Sequence, residues 1–370
     1  MSGSCVRLSG GGFRTVSRNT KGNTRQVKRN RETFPPMVYL IFTIAVLFVA
    51  AVCVSLGSVS IPLTDVARIV WAGITGDASG YGAYASILLT VRLPRILCVA
   101  LTGAALSLCG ASMQGLLKNP LADGSTLGVS SGASLGAVIA IAFGITIPSL
   151  PFSGTMVMAI LFAFGSLLLI LGLSYRLDGS LSTNTIILVG IIFSMFVSSI
   201  ITLVTCFSGD KVRNITFWTM GSLAGSSYQN ALLLACALAV CGTILLLHCR
   251  ELNAFAIGED NARSIGVHVK RVRITVLVTV SVLIGVCVSI GGTIGFVGLV
   301  TPHIARMLTG PNHRKLLPAS MFGGAVFLLL CDLTARVIIH PLELPIGAVT
   351  SLIGAIVFVV IFYRSRRRFS

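Results

Sequence analysis

Long apolar runs, separated by short polar segments, make up most of the chain after residue 36. A helix needs about 20 mainly apolar residues to cross a bilayer. Charge-free runs of about that length lie at Met37–Leu56, Ile96–Leu117, Thr126–Ile147, Gly154–Tyr175, Thr185–Phe207, Ala231–Cys249 and Leu344–Tyr363. A shorter run, Leu316–Cys331, is also long enough if its ends are counted generously. The pattern therefore predicts an all-α integral membrane protein.

The apolar stretch Ile274–Ala305 is too long for one untilted span, and Gly291, Gly292 and Gly295 interrupt it. We interpret it as two helices joined by a glycine turn. This gives ten predicted spans, and residues 37–363 form the predicted transmembrane domain.

The distribution of basic residues tests this count, because Lys and Arg gather on the cytoplasmic side of membrane proteins. With both termini inside, 22 of the 28 basic residues fall in cytoplasmic segments and six fall outside. This division predicts an even number of spans and two cytoplasmic termini. Residues 1–36 are predicted to be a basic, disordered cytoplasmic tail and residues 364–370 a second basic tail, both suited to contact with anionic membrane lipid.

The composition agrees with a membrane protein and excludes several other classes. Hydrophobic residues make up 54% of the chain and charged residues 11%, against about 25% charged in soluble proteins. The net charge of +17 is interpreted as a topology signal and not as a nucleic-acid surface, because no basic segment is interleaved with aromatic residues. The ten cysteines show no metal-ligand spacing, so we expect neither a metal nor a cofactor.

The densest charged segment between apolar regions is residues 250–273. Within it, residues 254–266 mix helix formers with two glycines, which predicts one or two short helices along the cytoplasmic surface. A merely solvated loop is the alternative. The chain has no phosphate-binding loop of the GxxxxGK[ST] type, so any ATPase is expected on another protein that docks here.

Several long stretches resemble one family, the FecCD-type permeases of ABC importers for iron-siderophores and cobalamin. The matching stretches are RLPRILCVALTGAALSLCGASMQGLLKNPLADGSTLGVSSGAS from Arg92, WTMGSL from Trp218, IGEDNARSIGV from Ile257, GTIGFVGLVTPHIAR from Gly292 and ELPIGAVTSLIGA from Glu343. The resemblance implies a type II importer architecture in the bacterial cytoplasmic membrane. The permease would be a homodimer, or a heterodimer with a similar chain, with two cytoplasmic ATPase subunits and an extracytoplasmic substrate-binding protein.

The resemblance also implies roles for three groups of residues. The group that would dock the binding protein is Arg92, Arg95 and Arg336. The group that would close the path at its cytoplasmic end is Asn119, Leu121, Thr183 and Asn184. The group that would form the coupling surface for the ATPase is Gly258, Glu259, Ala262, Arg263 and Gly266.

From the residues alone, each group has a simpler interpretation. Arg92 and Arg95 could be interfacial anchors, Asp332 and Arg336 could neutralise each other on one helix face, and the loops could be solvated turns. The expected cargo is an iron(III)-siderophore, with cobalamin or haem as the alternatives. An ion-coupled secondary transporter is the alternative from another class, although the predicted spans contain almost no acids to support it.

Overall fold

The computed structural model describes residues 33–57, 61–75, 82–124, 127–147, 154–339 and 342–366. Residues 1–32 of the predicted N-terminal tail and 367–370 of the C-terminal tail lie outside these ranges. The described part is helical and contains no strand.

Helices follow one another along the chain with short connections. The first eight are α1 (Pro36–Ser55), α2 (Leu63–Thr75), α3 (Gly82–Ser86), α4 (Leu93–Leu117), α5 (Val129–Phe143), α6 (Gly154–Leu177), α7 (Thr183–Cys206) and α8 (Val212–Thr219). A π-helical segment, Ile87–Arg92, joins α3 to α4, and a short 3-10 turn, Gly209–Lys211, precedes α8. The remaining helices are α9 (Tyr228–Leu247), α10 (Cys249–Ile257), α11 (Glu259–Ser264), α12 (Val269–Gly291), α13 (Val297–Thr309), α14 (His313–Val337) and α15 (Ile346–Arg366).

Each predicted apolar run corresponds to a helix. Among the described residues, seven helical stretches are long and apolar enough to cross a membrane, and Val129–Phe143 and Ile346–Ile361 are shorter apolar helices. Helix α5 has only 15 residues, about 22 Å at 1.5 Å per residue, because Gly128 and Gly144 end it in left-handed conformations. The exact count of ten spans and the cytoplasmic position of both termini stay predictions.

Three helices form the centre of the domain. Buried residues make up 78% of the apolar window in the stretch containing α4, 72% in α12 and 56% in α14, but only 11% in α1. The outer helices α1, α6, α7 and α9 expose large apolar side chains. Contact with lipid tails is favourable for such side chains, whereas their exposure to water would be unfavourable.

Glycines let the central helices approach closely. A Cβ on Gly103 would lie 2.3 Å from the carbonyl oxygen of Gly324, so α4 and α14 touch backbone to backbone. A Cβ on Gly110 would lie 1.9 Å from the carbonyl oxygen of Gly298 on α13. Small residues at helix contacts are the usual means of tight packing in membranes, where burial from water provides no driving force between helices.

The predicted glycine turn in the long apolar stretch is confirmed. Helix α12 ends at Gly291, Gly292 takes a φ of 67°, and α13 begins at Val297 after Phe296 at a φ of 66°. The amide of Ser222 donates to the Gly291 carbonyl at 2.8 Å, and the Thr293 hydroxyl donates to the carbonyl of Thr219. The turn is therefore fastened to the segment after α8.

The prediction of short helices in the charged segment is also confirmed. Helix α10 ends at Gly258, whose φ of 143° is accessible mainly to glycine. Helix α11 follows at once, and Gly266 closes it at a φ of 87°. The segment 250–273 thus presents two short helices between α9 and α12.

Candidate functional site

A cavity of about 510 Å³ lies among the inner helices. Its lining comes from α4, α5, α7, α8, α12, α13 and α15, from residues 123–124 after α4 and from the glycine turn. The lining is rich in hydroxyl groups, which are those of Thr102, Ser130, Ser131, Ser134, Ser198, Thr219, Thr293 and Ser351. Asp123 is its one acidic member among the described residues, and no Lys, Arg or His belongs to that lining.

The glycine turn supplies non-helical backbone to this cavity, through Gly292, Thr293, Ile294 and Gly295. Irregular backbone at membrane depth is tolerated where it borders a polar cavity, because its amide groups would be unsatisfied against lipid. Broken helices of this kind surround the substrate paths of many transporters. The cavity therefore has the position and construction of a substrate path.

Charged residues from three segments meet near the C-terminal end of α14. Arg95 bonds to Asp332 at 2.9 Å and to Glu343 at 2.7 Å. The Arg336 Nε atom lies 2.9 Å from Asp332 Oδ2, although that N–H has no aligned hydrogen-bond acceptor in the part of the chain that the structure describes. The contact is therefore an ion pair without a directed hydrogen bond, and the predicted Asp332–Arg336 pairing is present.

Two arginines, Arg336 and Arg92, cap the C-terminal end of α1. The last carbonyls of a helix have no partner inside it, and the guanidinium groups supply the missing donors. Arg92 donates to the Val54 carbonyl at 2.8 Å, and Arg336 donates to the Cys53 carbonyl at 3.0 Å. Positive charge at a helix C-terminus also offsets the helix dipole.

This network bears on the predicted docking residues. Arg92, Arg95 and Arg336 lie in one network, but each is only 6–7% exposed, and the guanidinium groups bind internal acceptors. The side chain of Glu343 is 43% exposed. In this conformation the accessible group at the network is an acid that the sequence analysis did not assign, and docking by the arginines stays a prediction.

The first predicted gate loop follows α4. The Asn119 side-chain oxygen accepts a hydrogen bond from the Leu121 amide at 2.9 Å, and the Ala122 amide donates to the Asn119 carbonyl at 3.1 Å. This local turn fixes the backbone and leaves the Leu121 side chain 52% exposed. An exposed leucine on a rigid turn is suited to closing a path against a second copy or a partner chain.

The second predicted gate loop joins α6 to α7. Asp178 accepts a hydrogen bond from the Ser180 hydroxyl at 2.7 Å and from the Ser180 and Ser182 amides, each at 3.0 Å. Hydrogen bonds from the two serine side chains, and after them those from the amides, hold the pKa of its carboxyl well below the usual range. Leu181 has a φ of 54°, which is strained for a leucine. Thr183 and Asn184 follow in the first turn of α7, half-buried and exposed respectively.

The charged segment 250–273, called the coupling segment below, presents a mixed surface. Ala262 is fully buried, and its amide donates to the Gly258 carbonyl at 2.9 Å. Arg263 is exposed, while the large apolar side chains of Ile257 and Ile265 are 73% and 70% exposed. The predicted coupling residues thus form one short element. Ile257 and Ile265 lie beside it in the sequence, and the prediction gave these two residues no role.

The coupling segment is tied to α14 by an asparagine. The Asn253 side-chain oxygen accepts from the His313 backbone amide and contacts His313 Nδ1, both at 2.8 Å. Its side-chain nitrogen donates to the Asn312 side-chain oxygen at 2.9 Å. A displacement of α10 therefore acts directly on the start of α14.

Comparison with known proteins identifies the family and the relatives that share this architecture. The model of the FecCD transport family matches residues 43–364. The chain is 44% identical over 317 residues to YvrB of Bacillus subtilis, an uncharacterized ABC transporter permease protein, covering 85% of this chain and 90% of the relative. It is 37% identical to the hemin transport system permease HmuU of Yersinia pestis, covering 87% and 95%. A solved inward-facing metal-chelate type ABC transporter matches with a TM-score of 0.78 and 34% identity, covering 89% of this chain and all of that one.

These findings define a multi-pass permease subunit of an ABC importer in the bacterial cytoplasmic membrane. The chain belongs to the FecCD transport family. Permeases of such importers form dimers and assemble with ATPase subunits and a binding protein. ATP hydrolysis lies on the separate subunits.

Proposed function

We propose that this permease imports an iron(III)-siderophore complex. A second permease subunit, identical or similar, completes the path, and an extracytoplasmic binding protein delivers the cargo. Relatives are named for import of hemin, vitamin B12, iron(3+)-hydroxamate and molybdate, so the family alone leaves these cargoes open. We choose among these cargoes by the chemical groups that line the cavity.

The lining favours a bulky cargo with neutral oxygen groups on its surface. The lining has eight hydroxyl side chains, and a hydroxyl can donate a hydrogen bond to a carbonyl or hydroxamate oxygen. A small oxyanion such as molybdate is best held by cationic side chains or clustered backbone amides. The described lining has no cationic side chain and includes one acid, Asp123, which argues against an oxyanion at this point of the path.

The exposed face of the coupling segment supports its role as the ATPase docking surface. Ile257 and Ile265 lie beside the exposed Arg263 in a segment predicted to be cytoplasmic. Large apolar side chains in water are typical of interaction sites when they cluster beside charged groups. The ATPase would dock on the short element formed by Gly258, Glu259, Ala262, Arg263 and Gly266. It would contact the exposed side of that element, while the buried Ala262 packs beneath it.

For the outer surface, we infer that the binding protein engages the arginine network by exchange. Its acidic residues would replace Glu343, which is half-exposed, as partners of Arg95. Arg92 and Arg336 would keep their bonds to the end of α1. Because one carboxylate replaces another at Arg95, the number of ion pairs stays the same, so this exchange would set orientation and encounter rate more than affinity.

At the inner end, the two gate loops would close the path. The residues that would do so are Leu121 with Asn119 in the first loop and Asn184 with Thr183 in the second. The support is that both loops are fixed by local hydrogen bonds and that Leu121 and Asn184 are exposed. Closure by small protruding groups on rigid turns needs only a shift of the helices that carry them.

The experiment that tests the cargo is ATPase activity of the purified importer in nanodiscs. The importer would contain this permease, its ATPase and its binding protein, and the probes would be a ferric hydroxamate, hemin, cyanocobalamin and molybdate. We expect the loaded binding protein to stimulate hydrolysis with the ferric hydroxamate. A matched mixture with the iron-free hydroxamate controls for the chelator.

Stimulation by hemin or cyanocobalamin alone would assign the cargo to another branch of the same family. Stimulation by molybdate alone would overturn the argument from the cavity lining. A complex that hydrolyses ATP identically with all four probes would refute cargo-dependent coupling.

A further inference from the structure

Arg273, in the second turn of α12, joins two segments that are far apart in sequence. Its side chain is 1% exposed. One terminal nitrogen donates to the carbonyl oxygens of Ser180, at 3.3 Å, and Leu181. The other terminal nitrogen forms an ion pair with the Glu259 carboxylate. One guanidinium therefore connects the loop before α7 with helix α11.

The loop end of this connection is the second predicted gate loop. Asp178 holds the loop from one side through the amides of Ser180 and Ser182, and Arg273 holds it from the other through carbonyls. Leu181 lies between them at a φ of 54°. A strained residue persists only where its surroundings fix it, so the Arg273 bonds help to define the backbone that leads into Thr183 and Asn184.

The other end of the connection lies on the coupling segment. Glu259 is the first residue of α11, and its side chain is 28% exposed. A displacement of α11 by the ATPase must therefore carry the guanidinium along or separate it from Glu259. Separation would leave a buried charge without its carboxylate, which is strongly unfavourable. Arg273 Nε already has no acceptor among the described residues, so separation from Glu259 would leave a further donor of the same group unsatisfied.

We propose that Arg273 is a positioning residue that transmits movement of the coupling segment to the second gate loop. The inference rests on the proposed roles of these two segments. When α11 moves, the guanidinium follows Glu259 and releases the carbonyls of Ser180 and Leu181. The loop then loses one of its two restraints, and the gate residues at the start of α7 change position.

Replacement by lysine separates this role from simple charge neutralisation. Lysine keeps the positive charge and can still pair with Glu259. Its single ammonium lacks the planar fork that reaches a carboxylate and two carbonyls together. Arg273→Lys should therefore keep the ion pair and break the connection. Arg68→Lys is the matched control, because Arg68 on α2 is an exposed arginine that also pairs with a carboxylate, that of Asp65.

The test compares transport and ATP hydrolysis by the complete importer in proteoliposomes, with a ferric hydroxamate as probe. In Arg273→Lys we expect complex yield and ATP hydrolysis close to wild type, and cargo moved per ATP reduced by roughly tenfold, within the range of mutations that alter coupling between sites. Arg68→Lys should match wild type in all three quantities. Unchanged cargo per ATP in Arg273→Lys would show that only the charge matters and would overturn the proposal.

Hydrogen exchange on the wild-type importer tests the same connection without a variant. Peptides covering 178–184 and 259–264 should change their protection together between nucleotide-free and ATP-trapped states. A change confined to 259–264 would overturn the proposal even if Arg273→Lys fails to assemble. A wild-type importer that neither transports the probe nor responds to ATP would instead refute the proposed function.

Discussion

Substitution of Gly110 by alanine tests whether the contact between α4 and α13 sets the packing around the cavity. The new Cβ would lie 1.9 Å from the Gly298 carbonyl oxygen, whereas real Cβ atoms essentially never come within 3.0 Å of such a neighbour. The two backbones would therefore have to separate by about 1.1 Å. Both are held by further contacts, because Gln114 donates to the same Gly298 carbonyl at 3.2 Å.

The expected cost follows from two opposing terms. Overpacking a tight contact costs about 1–3 kcal/mol, while alanine gains up to about 1 kcal/mol over glycine in a helix. We therefore expect Gly110→Ala to lower the free energy of unfolding by up to about 2 kcal/mol. Gly165→Ala on α6 is the matched control, since its Cβ would meet nothing within 4 Å and should be neutral or slightly stabilising.

The assay is thermal unfolding of both variants in the same detergent, followed by size-exclusion chromatography with fluorescence detection. Gly110→Ala should melt below wild type and Gly165→Ala at or above it. Equal melting of the two variants would refute the close backbone contact. Because Gly298 also lines the cavity, the transport rate should fall together with stability in Gly110→Ala.

Three further predictions concern charged and exposed positions. Asp332→Asn should lower the free energy of unfolding by about 3 kcal/mol, at the low end for a broken buried pair because Glu343 remains; a melting shift no larger than that of Asp65→Asn, an exposed pair, would contradict it. Ile265→Glu should leave folding unchanged and reduce co-purification of the ATPase, since the side chain is 70% exposed; full recovery of the ATPase would exclude this docking face. Asp178 has a lowered pKa, so its contribution should be constant above the ordinary carboxyl pKa and decline only as pH falls toward the lower folded value. The melting difference between wild type and Asp178→Asn should therefore shrink only in acid. An ordinary aspartate, with a pKa of about 3.9, is already ionised between pH 7 and about 5. A melting difference that shrinks within that range would mean that the pKa of Asp178 is raised, and would refute the assignment.

The sequence was sufficient to predict the elements that depend on local pattern. Apolar runs, the glycine turn after Gly291 and the two short helices of the charged segment all follow from residue spacing and glycine positions. The pairing of Asp332 with Arg336 was also predictable, because four residues separate them on one helix face.

The connections between elements could not be predicted in the same way. Arg95 meets Glu343 across 248 residues, and Arg273 meets the loop carbonyls across more than 90. Which acid an arginine contacts depends on how helices pack, and that packing follows from glycine contacts such as Gly103 with Gly324. The sequence therefore indicated outward cations, and the structure adds that internal partners hold them.

A weak signal for Arg273 does exist in the sequence. It is a charged residue inside the first turns of an apolar span, where ionisable groups are costly and often functional. Its neighbours Lys270 and Arg271 hide that signal, because all three can be interpreted as positive-inside residues. Only the burial of Arg273 distinguishes it from them.

The measurement that tests the account most directly is uptake of a radioactive ferric hydroxamate into proteoliposomes. The permease would be reconstituted with its ATPase and binding protein, and in parallel without the ATPase. The account predicts uptake that requires the ATPase, the loaded binding protein and ATP together. Uptake by the permease without an ATPase would contradict it, because the coupling segment would then have no role in driving transport.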